Sequence, residues 1–165
     1  MLTTGAVIAF PTDINYSAAC VLSDKKAVKR LLTLHDADDP HSLICMTYDY
    51  SLLNQIAFLP PPLFRWMKAE LPGPAVFLTE HTQLFEKISG IKKKKICCRM
   101  PACQLCKDIS AAVKHTILLT GFKFEKDYNR IMDDSDEIKA RFSADIDLIL
   151  DGGPVIYQNP PVFQL

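Results

Sequence analysis

The chain of 165 residues predicts an α/β fold, a twisted, mixed open sheet with flanking helices, in a single domain. Three observations carry this reading. Short apolar runs, too brief for helices, alternate with segments whose apolar positions recur at helical spacing. Pro11, Pro60 to Pro62, Pro72-Gly73-Pro74 and Gly152-Gly153 punctuate the chain where one element should give way to the next. A composition that is 48% hydrophobic and 23% charged suits one core that needs no staples.

The elements follow in order. Ala6 to Phe10 is an apolar run closed by Pro11 and reads as a buried strand. Pro11-Thr12-Asp13 then reads either as a plain turn or as the polar tip of a strand, where open α/β sheets bind small molecules. Ser23-Asp24 caps a helix from Lys25 to about Leu34, with Ala27, Val28, Leu31, Leu32 and Leu34 as its apolar positions. Ser42 to Thr47 is a second strand, Asp49-Tyr50-Ser51 opens a short helix, and prolines introduce another from Leu63 to Leu71. Ala75 to Thr79 and Ile96 to Met100 read as strands, separated by a brief helix from Leu84 to Ile88. A helix from Cys103 to Val113 and a strand from Thr116 to Thr120 come next. After an irregular polar stretch, a helix from Ser135 to Phe142 and a strand from Ile146 to Leu150 complete the order.

Charge and cysteine usage narrow the function classes. Nineteen basic and nineteen acidic residues balance to zero, so no global field draws the protein to nucleic acid, and any RNA contact is local. No apolar run reaches the length of a membrane span and the start shows no secretory leader pattern, so a cytoplasmic protein is expected. The six cysteines do not resemble a secreted disulfide framework and are expected reduced.

Four groups of residues offer chemistry. His35, Asp36, Asp38, Asp39 and His41 are metal-ligand types, though an exposed acidic loop explains them equally simply. Cys97, Cys98, Cys103 and Cys106 allow a zinc or a redox reading through the C-x-x-C of Cys103 and Cys106, against buried packing. Cations on Lys25, Lys26, Lys29 and Arg30, and on Lys92 to Lys95, read as solvated faces or phosphate contacts. Arg99, in an apolar strand, must be paired or must reach a crevice, where it would grip phosphate or carboxylate.

Four blocks together resemble one family. PTDINY, Pro11 to Tyr16, is similar to the PTDTxY signature of the YrdC family, with Ile14 for a hydroxyl residue and Ser17 where glycine is usual. LPGPAVFL at Leu71 to Leu78, ICCRMP at Ile96 to Pro101 and IDLILDGG at Ile146 to Gly153 resemble its later motifs, and the spacing most resembles the YciO branch. The resemblance implies a YrdC-like domain over residues 1–165, lacking the family's leading helix and closing tail. It implies threonylcarbamoyl-AMP synthesis for tRNA modification, with L-threonine, bicarbonate and ATP as substrates and Mg²⁺ as the accompanying ion. Nucleotide and RNA, either tRNA or double-stranded RNA, are the implied partners.

The same resemblance assigns substrate or nucleotide binding to Thr12, Asp13, Tyr16, His35, Arg99 and Thr120, with no catalytic residue and no metal ligand named. Thr12 and Asp13 would position substrate, Tyr16 would pack against it and Arg99 would take an anionic group. Two family motifs are altered. K-x-R falls at Thr33 and His35, and S-x-N near Thr120 to Lys123, with Gly121 in the serine position; the closing S-T-V becomes Pro161-Val162. The implied activity is therefore weak, and the alternative is a non-catalytic module that binds RNA or a protein.

Overall fold

The first strand does not feed a helix. In the computed structural model, which describes residues 1–39, 41–124 and 132–165, β1 (Ile8–Pro11) turns straight back as β2 (Tyr16–Val21). Thr12 closes this turn: its backbone N–H donates to the Asn15 carbonyl at 2.7 Å, and its hydroxyl contacts the same carbonyl at 2.9 Å. Tyr16-Ser-Ala-Ala-Cys-Val lacks the long apolar run or clean alternation that marks a strand, so the sequence gives β2 little signal. It is nevertheless buried throughout, because small residues let layers pack closely on both of its faces.

The remaining elements lie close to their expected places. Asp24 caps α1 (Lys25–Leu34) by accepting from the N–H groups of Lys26 and Ala27, and Ala27, Val28, Leu31 and Leu34 turn inward. β3 (Leu43–Met46), α2 (Tyr50–Ile56), α3 (Pro61–Glu70), β4 (Val76–Glu80), α4 (Gln83–Ser89) and β5 (Lys95–Arg99) follow. Then come α5 (Gln104–Val113), β6 (Ile117–Gly121), β7 (Met132–Asp133) and α6 (Ser135–Phe142). The irregular polar stretch falls largely on 125–131, outside the described residues, as does position 40 of the acidic loop. The last expected strand is reduced to β8 (Leu148–Ile149), and two pieces beyond it, β9 (Val155–Ile156) and β10 (Val162–Gln164), carry too few residues for a periodic signal.

Eight strands make one mixed sheet in the order β10-β4-β5-β3-β6-β2-β1-β8, and β7 pairs with β9 separately. β1 with β8, β3 with β5 and β4 with β10 run parallel; the other four neighbouring pairs are antiparallel. One face carries the larger core, where Leu31, Leu53, Leu63, Met67, Phe85 and Ile138 bring five helices onto the sheet. α5 covers the other face through Cys106, with Leu105, Ile109 and Val113 packed beside it. Edge strand β10 is held by rings: Phe163 stacks on Phe77 at 5.3 Å between centroids and meets Trp66 edge-on at 4.5 Å. Among the described residues no helix is long and apolar enough to cross a membrane.

Candidate functional site

α5 shields only part of its face. Beside it lies a cleft of about 320 Å³, floored by Ser17 of β2, Ile44 of β3, Arg99 of β5 and Leu119 of β6. The expectation of a crevice beyond the strand tips is met differently: the opening lies over the sheet, because β1 reverses in a hairpin instead of crossing to a parallel neighbour. Asn15, Asp36, Asp39 and Ser42 form one part of the wall, with Phe122, Phe124, Asp133 and Tyr157 among the other lining residues.

Arg99 is the one lysine or arginine among the described lining residues. Its side chain is 1% exposed and is paired with Asp13, whose second oxygen accepts from the Ala102 N–H at 2.8 Å. The Arg99 Nε has no hydrogen-bond partner although it is buried. A guanidinium that lines a cavity and is held by one carboxylate suits a planar anion.

The other nominated residues lie outside the lining of this cleft. Thr12 is buried and holds the hairpin turn. Tyr16 points to the larger core, away from the cleft floor that its neighbour Ser17 faces; its hydroxyl donates to the Gly153 carbonyl at 2.8 Å and accepts from the Gly152 N–H at 2.9 Å. Burial pushes the Tyr16 phenol above its ordinary value, and Asp151 adds to the effect. Thr120 and His35 meet behind the sheet, with Thr120 Oγ1 3.1 Å from His35 Nδ1 and Ser42 Oγ 3.0 Å from the same nitrogen. Burial and the charge on Lys93 hold the His35 imidazole below its usual value, while Asp36 and Asp39 oppose them. Of these six, then, Arg99 lines the cleft, Asp13 reaches it through Arg99, and His35 touches it through Ser42.

Arg30, Lys123 and Lys29, three cations that could replace the altered K-x-R, lie outside the cleft lining. Arg30 is engaged by both oxygens of Asp147, at 2.9 and 3.0 Å, and by the Asp145 carbonyl at 3.2 Å. Lys123 is exposed between Phe122 and Phe124 and is absent from the cleft lining, as is Lys29 on α1. In the acidic loop, Asp36 and Asp39 accept from the backbone N–H groups of Asp38 and His41, at 3.0 and 2.9 Å. Cys97 and Cys98 occupy opposite faces of β5, and among the described residues no three His, Cys, Asp or Glu side chains come together as a metal set.

The blocks that looked alike in sequence also meet in space. PTDINY touches ICCRMP through Asp13 and Arg99, and touches LILDGG through Tyr16, Gly152 and Gly153. The Gly73 N–H of LPGP donates to the Met100 carbonyl at 2.9 Å. The family profile for Sua5, YciO and YrdC proteins, described as telomere recombination, matches residues 1–162. The chain belongs to the Sua5/YciO/YrdC family. Escherichia coli K12 YciO is 30% identical over 155 residues, covering 90% of this chain and 72% of YciO. The E. coli YciO crystal structure superposes with a TM-score of 0.83 at 28% identity, over 99% of this chain and 80% of that one. The threonylcarbamoyl-AMP synthase of Chromobacterium violaceum is 29% identical over 123 residues, 70% of this chain and 62% of the synthase. P. abyssi Sua5 complexed with L-threonine shares the fold, with a TM-score of 0.84 at 22% identity over 99% of this chain and 48% of Sua5.

Within the Sua5/YciO/YrdC frame, several departures from the motifs lie at the cleft, whereas Thr33 and His35 lie outside its lining. Ile14, Ser17, Gly121 and Val162, each at or beside a position where the family pattern has another residue, all line it. Thr12 and Tyr16, which keep the pattern, serve the hairpin and the β8–β9 connection. Sequence reasoning missed Asn15, Ser42, Phe122 and Tyr157 as lining residues. The mismatched positions of the motifs were the available signal, since they share the cleft with these four residues.

Proposed function

We propose that this chain is a YciO-type member of the family that binds a nucleotide in the cleft as its Mg²⁺ complex, with weak threonylcarbamoyl-AMP synthesis from L-threonine, bicarbonate and ATP. The single observation that carries the reading is Arg99, a buried cation that lines the cavity and is braced by Asp13. Kinship with a named threonylcarbamoyl-AMP synthase supports the choice of reaction, and the Sua5 complex supports L-threonine as its second substrate.

Electrostatics gives Mg²⁺ its part. Among the described lining residues Asp36, Asp39 and Asp133 stand with His41 and one guanidinium that is already paired, so a bare polyphosphate meets more carboxylates than cations there. Mg²⁺ is commonly held by one or two carboxylates together with substrate phosphates, which suits Asp36 and Asp39 with the ion arriving on the nucleotide. The reaction leaves the protein little covalent work; rate comes from orientation and from cations placed on the phosphates. With Thr33 and His35 at the K-x-R positions, that stabilisation is reduced, and removing one preorganised group commonly costs about two to three orders of magnitude.

The test is ATP titration calorimetry with and without Mg²⁺, L-threonine and bicarbonate, followed by pyrophosphate release. Binding is expected with Mg²⁺ and is expected to weaken at least tenfold, about 1.4 kcal/mol, in Arg99→Gln. Because Arg99 is buried, Tyr157→Ala serves as a second variant on the exposed wall and is expected to weaken binding with the fold unchanged. A second reading is a non-catalytic module for RNA or a protein, of which the acidic lining favours a protein with a basic surface; folded protein that binds no nucleotide under any combination would replace the first reading with this one.

A further inference from the structure

The C-x-x-C of Cys103 and Cys106 has no part in the cleft. Cys103 is the N-cap of α5, in extended backbone with φ −136° and ψ 123°, and Cys106 is the third residue of the helix. Side chains at these two positions face one another across the first turn, the arrangement that lets a capping box close. Here both sulfurs converge on one acceptor. Cys103 Sγ lies 3.7 Å and Cys106 Sγ 3.9 Å from the Pro11 carbonyl oxygen. No side chain caps the first turn of α5, so the Cys103 sulfur is not tied down by its own helix.

Accessibility divides the pair. Cys103 is partly exposed and Cys106 is fully buried behind it. The other four cysteines, Cys20, Cys45, Cys97 and Cys98, are buried in the sheet, where burial pushes the Cys20 thiol to about 12 and the Cys97 thiol to about 11; burial raises the Cys106 thiol as well, so the entry point of the pair is Cys103. Cys45 and Cys98 stand opposite each other in the β3–β5 ladder, yet both lie wholly inside the core. One thiol in six is therefore open to a reagent in solution, and its nearest thiol is one helical turn away.

We propose that Cys103 and Cys106 form a reversible disulfide by exchange with a low-molecular-weight disulfide of the glutathione class. The Cys103 thiolate attacks one sulfur of the external disulfide; a mixed disulfide forms and one small thiolate leaves. Cys106 gives up its proton to that thiolate and attacks the Cys103 sulfur, and the second small thiolate departs. Two protein thiols are oxidised and one external disulfide is reduced to two thiols, so electrons and protons balance. The site is one peptide from the turn that presents Asp13 to Arg99.

The experiment incubates the full reduced chain with oxidised glutathione, quenches with N-ethylmaleimide, and reads intact mass and mapped peptides. The expected product is lighter by two hydrogens, carries no glutathione, links Cys103 to Cys106 and keeps four of the six thiols alkylatable after denaturation. Reduced dithiothreitol restores all six. Cys106→Ser is expected to trap the mixed disulfide on Cys103, and Cys103→Ser to leave Cys106 unreacted, each checked for an unchanged far-ultraviolet circular dichroism spectrum. Wild-type protein that keeps all six thiols, that retains glutathione on Cys103 without closing, or that links any other pair would overturn the proposal.

Discussion

Arg99 and Asp13 form an ion pair that ties the end of β5 to the hairpin turn between β1 and β2, with the arginine side chain 1% and the aspartate side chain 16% exposed. The pair joins two motifs that lie far apart in sequence, and it fixes the cation that faces the cleft.

Breaking that pair from one side leaves a charge in the core. Asp13→Asn is expected to cost about 3 kcal/mol or more, read from urea denaturation, because the buried guanidinium loses its counter-charge. Arg99→Met combined with Asp13→Asn is expected to cost clearly less than the two single changes added together. Strict additivity would mean that the two side chains contribute independently.

Tyr16→Phe separates structure from binding. The ring still fills the core, but the Gly152 N–H loses its acceptor and the Gly153 carbonyl its donor, at a cost of about 1–3 kcal/mol. ATP affinity is expected to stay within about twofold of wild type, since the hydroxyl faces away from the cleft. A tenfold loss of affinity in a stably folded variant would place Tyr16 in the binding site.

Gly152→Ala tests how closely the IDLILDGG block approaches β1. A Cβ there would stand 2.6 Å from Pro11 Cγ, and a proline ring cannot swing aside. The expected loss is about 1–3 kcal/mol, seen as a lower urea midpoint with an unchanged slope. An unchanged midpoint would show that the connection moves freely.

His35 makes stability depend on pH in a definite direction. The fold favours the neutral imidazole, so its folded value lies below the ordinary 6.5. Above that ordinary value both states are neutral and the contribution is constant. As pH falls through it, the unfolded chain takes a proton that the folded chain refuses, and stability drops until the folded value is passed. Thermal melts from about pH 8 to 5 should therefore show a steeper decline for wild type than for His35→Gln. Equal slopes would remove His35 as the cause.

Local chemistry determined most of the elements. Asp24, Asp49 and Asp134 accept backbone N–H groups where helices begin, and Gly90 ends α4 in the left-handed region at φ 74°. Apolar runs marked β1, β3, β4, β5 and β6, with Pro11, Pro101 and Gly121 closing the first and the last two, and four motif blocks were enough to indicate the family, because their spacing reflects one scaffold. β2 and β10 left little trace. The first is made of small residues, and the second owes its position to Phe77 and Trp66, which are remote in sequence.

The cleft belongs to the tertiary structure. Which face of the sheet a side chain takes depends on register, and a one-residue change of register exchanges Ser17 for Tyr16. The sequence could show that Tyr16, Thr120 and Arg99 stand at motif positions. Strand pairing decided that Tyr16 and Thr120 face the helices while Ser17, Leu119 and Arg99 face the cavity, because side chains alternate along a strand and α5 leaves that part of one face uncovered.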